Sequence, residues 1–131
     1  MRATRDVDVE RSIVAVALDY YEGWFDGNAA RMERALHPEL VKRSLHEDGS
    51  SLETISARAM IDATVAGVGR TRDPGDRRIV IHVDHVYGDI ASVTVTSAVY
   101  VDYLQLVKTR GGWKIVNALW DSVAPAEEPL G

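Results

Sequence analysis

The stretch VDYLQLVKTRGGWKIVNALWD occupies residues 101–121. Residues 101–109 and 113–121 are rich in β-branched and aromatic side chains, and Gly111-Gly112 lies between them. That is the composition of two antiparallel strands joined by a tight turn. Strict alternation along the second strand sets Lys114, Val116, Ala118 and Trp120 on one side. It sets Trp113, Ile115, Asn117, Leu119 and Asp121 on the other. Both sides are partly apolar. In so small a domain this predicts a sheet with one face under helices and the other against a second subunit. Asp102, Tyr103, Asn117, Trp120 and Asp121 stand among the aliphatics, where one face of the hairpin is expected to meet a pocket.

Upstream of the hairpin the pattern stays that of a sheet. RIVIHVDHVY (residues 78–87) and IASVTVTS (residues 90–97) alternate across a Gly88-Asp89 turn. The connection at residues 98–100 has no Gly or Pro, so one long bulged strand over residues 90–109 is an alternative to two strands. His82 and Asp84 share a face, whereas His85 falls in register with Ile79, Ile81, Val83 and Tyr87, which predicts a half-buried ring.

The front of the chain has helical spacing instead. Ile13, Val14, Ala17, Leu18, Tyr21 and Trp24/Phe25 predict a helix over residues 9–26, capped by Asp6 or Asp8 and closed by Gly27. Asn28 caps a second helix over residues 29–36, which His37-Pro38 stops. His37 is placed to interact with that helix's last carbonyls. An extended piece (residues 40–46), an EDGS turn (47–50) and a short returning segment (52–55) follow. Ser56 then caps a third helix over residues 56–66, with Met60, Ile61, Thr64 and Val65 as its buried face. RTRDPGDRR (residues 70–78) reads as a solvated loop, its arginines diluted by Asp73 and Asp76.

Helices first and strands last predict an α+β fold: three N-terminal helices packed on a curved, mostly antiparallel sheet, forming a cone with an internal pocket. A length of 131 residues suits one domain, taken as residues 1–123 with a flexible tail over 124–131. The formal net charge of −5 argues against nucleic acid as a partner. Cysteine is absent, which excludes disulfides, thiolate metal sites and a cysteine nucleophile. No apolar run reaches the roughly 20 residues of a membrane span, and the charged start has no apolar region behind it. A cytoplasmic protein is expected. No phosphate-cradling loop, dinucleotide fingerprint or nucleophile elbow is present, so no cofactor is expected. His82, Asp84 and His85 do not converge, so no metal is expected either.

The order of YYEGWFDGNAARMERALHPEL (residues 20–40) and DYLQLVKTRGGWKIVNALW (residues 102–120) resembles the nuclear transport factor 2-like superfamily. Within it the pattern is most similar to the putative lumazine-binding family, with SnoaL-like polyketide cyclases as further relatives. The resemblance covers roughly residues 9–122 and implies a cystatin-like cone, often dimeric through its sheet. Members include ketosteroid isomerase, scytalone dehydratase and plain binding proteins, so fold alone does not give function. Ketosteroid isomerase uses a carboxylate base with a Tyr and a protonated Asp as oxyanion hole. Its tyrosine falls near Tyr20 and its oxyanion aspartate near Asp102. Its base falls near Arg43 or Ser44, neither of which is a carboxylate. Scytalone dehydratase-like relatives use histidines as acid and base, a role His46 suits.

The expected function is binding of a small, partly aromatic organic molecule in a pocket lined by Tyr20, Trp24, Arg43, His46, Met60, Asp102, Asn117 and Trp120, in a homodimer formed through the sheet. The alternative is a cofactor-free lyase, cyclase or isomerase with His46 or Asp102 as acid/base and Tyr20 holding an oxyanion. A third reading is a non-catalytic interaction dimer whose cavity is filled by its own side chains.

Overall fold

The structure, a computed structural model, describes residues 6–70 and 73–123. The expected tail over residues 124–131 lies outside the described residues. Helix α1 spans Val7–Asp26, α2 Ala29–Ala35 and α3 Ala57–Val65. The strands are β1 Leu36–Leu45, β2 Leu52–Ser56, β3 Val80–Tyr87, β4 Ile90–Thr96, β5 Tyr100–Thr109 and β6 Gly112–Ser122. They form one sheet in the order β2-β1-β6-β5-β4-β3. Among the described strands only the β1–β6 pair is parallel. The three helices lie on one face, so the expected α+β cone is the observed fold.

Local chemistry accounts for the helix boundaries. The Asp6 carboxylate accepts from the N–H groups of Asp8 (3.0 Å) and Val9 (3.3 Å), capping α1. Gly27 ends it at φ 67°, a left-handed position where a Cβ would strain. Asn28 Oδ1 accepts from Arg31 N at 3.1 Å and starts α2. The chain enters β1 at Leu36, earlier than the extended piece read from the sequence. Pro38 is tolerated there because the β1–β6 register shifts between Leu36 and Val41, where ladder bonds are interrupted. His37 does not meet the helix carbonyls as expected; its Nδ1 accepts from Glu39 N at 3.0 Å.

The glycine-free connection between β4 and β5 is a hydroxyl turn. Ser97 Oγ accepts from Val99 N (3.2 Å) and Tyr100 N (2.9 Å), replacing the backbone permissiveness of a glycine. Two strands therefore form here, and the single long strand is excluded. The loop after α3 is not wholly solvated. Arg77 is buried, stands 5.1 Å over the Phe25 ring and pairs with Asp26 Oδ1 at 2.8 Å, tying the end of α1 to the start of β3.

Two bulges overturn the alternation assumed from the sequence. In β5–β6, Gln105 opposes Asn117 and Leu106 opposes Ile115, leaving Val116 without an opposite residue. Trp113 and Ile115 face the helices before the bulge, and Ala118 and Trp120 face them after it. Asn117 and Leu119 point to the outer face. In β3–β4 the same device falls at Asp84: Val83 opposes Val93 and His85 opposes Ser92. His85 is consequently exposed and Val86 takes the inner position.

Between sheet and helices the core contains Ile13, Ala17, Met32, Leu40, Val93, Val95, Leu104, Leu106 and Ile115, all essentially inaccessible. Among the described residues no helix is long and apolar enough to cross a membrane. Gly69 is buried under the Trp24 indole, and a Cβ on it would fall inside contact distance of that ring. Gly69→Ala is expected to destabilise the fold by about 1–3 kcal/mol, the usual cost of overpacking. Gly75→Ala, where nothing lies within 4 Å, stays within about 0.5 kcal/mol. Urea denaturation of the two variants checks the contrast.

Candidate functional site

A partly open cavity of about 80 Å³ lies between the helices and the sheet, lined by Tyr20, Tyr21, Trp24, Lys42, Ile55, Met60, Tyr100, Asp102 and Trp120. Helix α1 supplies three of these residues. Tyr20 and Tyr21 point into the core, and Trp24 lies one turn further on. From the inner face of β1 comes Lys42, in phase with buried Leu40 and Ser44. Asp102 of β5 and Trp120 of β6 are direct cross-strand partners, brought to the same face by the Val116 bulge.

Asp102 is 2% exposed. Its two carboxylate oxygens accept from the hydroxyls of α1: Tyr21 Oη donates to Oδ2 at 2.5 Å and Tyr20 Oη to Oδ1 at 3.4 Å. Burial pushes the Asp102 carboxyl above the usual carboxylate range, while the Lys42 charge and the two hydroxyls pull it back. Burial raises both tyrosines as well, reinforced by the negative charge of Asp102, so they act as donors at any ordinary pH.

Lys42 Nζ stands 5.1 Å over the Tyr20 ring and 5.0 Å over the Trp120 ring. Loss of water holds this amine below the usual lysine range, and Asp102 opposes that shift. Trp24 Nε1 donates to Tyr100 Oη at 3.2 Å. Tyr100 in turn packs edge-on to Trp120 at 5.5 Å between centroids and stacks on Phe25 at 6.1 Å. The Trp120 indole N–H is buried and has no acceptor among the described residues. The result is an aromatic chamber with one amine, one carboxyl and one unused N–H.

Five of the residues expected at a pocket therefore surround one cavity: Tyr20, Trp24, Met60, Asp102 and Trp120. The other three do not join them. Arg43 lies on the outer face because Lys42, its neighbour, occupies the inner phase of β1. Asn117 lies on the outer face too, moved there by the bulge, where its Nδ2 donates to Gln105 Oε1 at 2.9 Å. His46 is exposed at the β1–β2 turn, with Nε2 3.9 Å from Glu53 Oε2. Sequence reasoning missed Tyr21, Lys42, Ile55 and Tyr100. Lys42 was detectable, since Leu40-x-Lys42-x-Ser44 shares one strand phase with an apolar residue that must be buried. Among the described residues no group of three or more His, Asp or Glu side chains converges as metal ligands would. A second hollow, about 460 Å³, lies on the outer sheet face over Tyr103, Asn117 and Leu119.

The family model described as putative lumazine-binding matches residues 8–121. The chain belongs to that family. Solved structures agree on the cone fold. A nuclear transport factor 2-like protein of unknown function from Silicibacter pomeroyi superposes with TM-score 0.76 at 20% identity, covering 92% of this chain and 100% of that one. A similar protein of unknown function from Shewanella baltica gives 0.73 at 19% identity, covering 94% and 100%. One from Methylobacillus flagellatus gives 0.70 at 20% identity, covering 95% and 99%. No curated protein matches the chain. In this member of the family, Lys42, Asp102 and the two helix tyrosines are among the polar groups that line the cavity.

The Asp102 cluster makes a prediction with a definite sign. The folded-state pKa is raised from 3.8, so the group's contribution is most favourable below that value. It is lost as pH rises through the folded value. Tyr21 opposes the loss by holding the carboxylate. Tyr21→Phe is expected to destabilise by about 1.5–3 kcal/mol at mildly alkaline pH, as for a hydrogen bond to a charged group, and by less in acid. Denaturation curves across that range check this; a cost independent of pH would show that Asp102 does not change charge.

Proposed function

We propose that the cavity under the helices binds a small, partly aromatic organic molecule. The observation that carries this reading is the pairing of aromatic walls with a buried Trp120 N–H that has no acceptor among the described residues and a Lys42 amine that meets only ring faces. Buried polar groups ordinarily find partners, and a ligand that accepts from both would supply them. The volume of about 80 Å³ exceeds the roughly 10–15 Å³ that one water needs, so the enclosed part of the ligand is a ring or a small polar fragment. The family's description names lumazine, a flat heteroaromatic compound, which is consistent with walls built from Tyr20, Trp24, Tyr100 and Trp120. A net charge of −5 disfavours nucleic acid as the partner.

Native mass spectrometry of protein purified from its own host is expected to show a retained small molecule. Titration with lumazine and related rings is expected to quench tryptophan emission, since Trp24 and Trp120 line the cavity. Trp120→Ala weakens that binding about tenfold or more, equivalent to about 1.4 kcal/mol, and Asn117→Ala leaves it unchanged. The absence of both a retained molecule and a quenching ring would sink the proposal.

An enzymatic reading has one observation behind it. Asp102 is a carboxyl with a raised pKa, backed by two tyrosine hydroxyls in a desolvated site, as a general acid requires. In that reading Asp102 and Tyr20 carry the chemistry of a cofactor-free lyase, cyclase or isomerase, and His46, out on its turn, takes no part.

Dimerisation through the outer sheet face completes the proposal. Tyr103 and Leu119 are cross-strand neighbours there, 58% and 52% exposed. Paired apolar side chains at the centre of a sheet face suit a self-complementary interface. Sedimentation is expected to find a dimer, converted to monomer by Leu119→Lys; a monomeric parent protein would refute the interface.

A further inference from the structure

We propose that Lys42 is a carbonyl-capturing amine, forming an imine with a small aromatic aldehyde or ketone held in the cavity. The inference rests on the reading of the cavity as a ligand site and assigns that ligand a reactive group.

The argument begins with what surrounds Nζ. The amine lies between the faces of Tyr20 and Trp120, in the wall of the cavity, and makes no hydrogen bond or ion pair with any described residue. A structural lysine in a core ordinarily has a carboxylate or carbonyl partner, because an isolated ammonium is costly to desolvate. The chain's other lysines show the ordinary arrangements. Lys114 Nζ donates to the Arg34 carbonyl at 2.7 Å, and Lys108 is exposed. Twelve arginines and three lysines make up the cationic residues of the chain, and it is a lysine that faces the cavity. A guanidinium at that position would serve for charge alone but could not act as a nucleophile near neutral pH.

The environment also favours the reactive form. Burial lowers the ammonium's hold on its proton, the usual route to a nucleophilic lysine. Asp102 shares the cavity, retains its proton to higher pH than an ordinary aspartate, and is backed by Tyr20 and Tyr21. The carbonyl's ring would occupy the aromatic chamber and its carbon would meet Nζ.

The chemistry balances without a redox partner. The Nζ lone pair attacks the carbonyl carbon, a C–N bond forms, and the C=O π pair moves onto oxygen. Nitrogen loses a proton and oxygen gains one, giving a carbinolamine. The hydroxyl then takes a further proton and leaves as water while the nitrogen lone pair closes the C=N bond. In the first step the proton that nitrogen loses is the one that oxygen gains; in the second, Asp102 gives the proton that expels water and takes back the remaining N–H proton of the iminium. The sum is amine plus carbonyl giving imine plus water.

The test uses the full chain, benzaldehyde as probe and cyanoborohydride to reduce any imine to a stable secondary amine. Peptide mapping is expected to place the adduct on Lys42 at ten or more times its occupancy on Lys108 and Lys114, with the α-amino group as the reactivity reference. Unfolding in urea before labelling is expected to abolish the preference. Lys42→Arg, which keeps the charge, is expected to retain the fold and lose the adduct. Equal labelling of the three lysines in the native protein would overturn the inference. Quenching of tryptophan by benzaldehyde without trapping at Lys42 would also overturn it, while leaving the ligand-binding reading intact. The absence of quenching, trapping and a retained host molecule together would remove both readings.

Discussion

One extra residue in the last strand, Val116, decides which side chains of the closing hairpin face the helices. A bulge adds one residue to one strand only, so every position beyond it changes face relative to simple alternation. Without it, Asn117 and Leu119 would continue the inward phase of Trp113 and Ile115, and Trp120 would lie outside. With it, Trp120 pairs with Asp102 on the inner face, and the wide end of the cone acquires an indole instead of a leucine. The parallel strand β1 then lays Lys42 beside Ala118. The cavity depends on that geometry, because Lys42 of β1, Asp102 of β5 and Trp120 of β6 line it together and this register makes the three strands' inner positions adjacent.

Asp102 and Lys42 are both disfavoured in their charged forms by burial, and each only partly relieves the other. Their pH contributions run in opposite directions. Asp102 contributes less to stability as pH rises from its ordinary 3.8 through its folded value. Lys42, lowered from 10.5, contributes more as pH rises from its folded value toward the ordinary one. Hydrophobic residues of similar volume would be at least as stable in such a place. The surface ion pairs of α1 and α2 differ in kind. Asp19 bonds both Arg31 and Arg34 at 2.8 Å, which holds its carboxyl below the usual range and joins two helices that already pack together.

What could be read from the chain follows from how periodic the physics is. Helix caps depend on one or two residues, so Asp6, Gly27, Asn28 and Ser56 marked their boundaries directly. Strands were recognisable by composition, but which face each residue occupies is a cumulative count, and one unpaired residue inverts everything after it. The bulges at Val116 and Asp84 moved Asn117 and His85 outward for the same reason. Arg43 failed differently. It was placed by analogy with another enzyme's base, whereas the local phase set by Leu40 points to Lys42. His46 suits acid–base work by its chemistry and by the likeness to histidine-using relatives, but the turn built around Asp48, which accepts from Ser50 N at 2.8 Å and Ser51 N at 2.9 Å, leaves it in solvent.

The two faces of the sheet differ less in size than in whether their polar groups are already satisfied. The outer hollow is the larger, about 460 Å³ against about 80 Å³. Yet several polar side chains on that face are already bonded to one another: Asn117 to Gln105 at 2.9 Å, and Asp84 to both His82 and Thr94 at 2.7 Å. The exposed Tyr103 and Leu119 of that face suit contact with another apolar surface. The inner cavity is smaller and mostly aromatic, and in it an indole N–H has no acceptor among the described residues and an amine meets only ring faces. Unmet hydrogen-bonding capacity costs most in a low-dielectric site. On that ground the smaller volume is the one in which a specific molecule would be recognised.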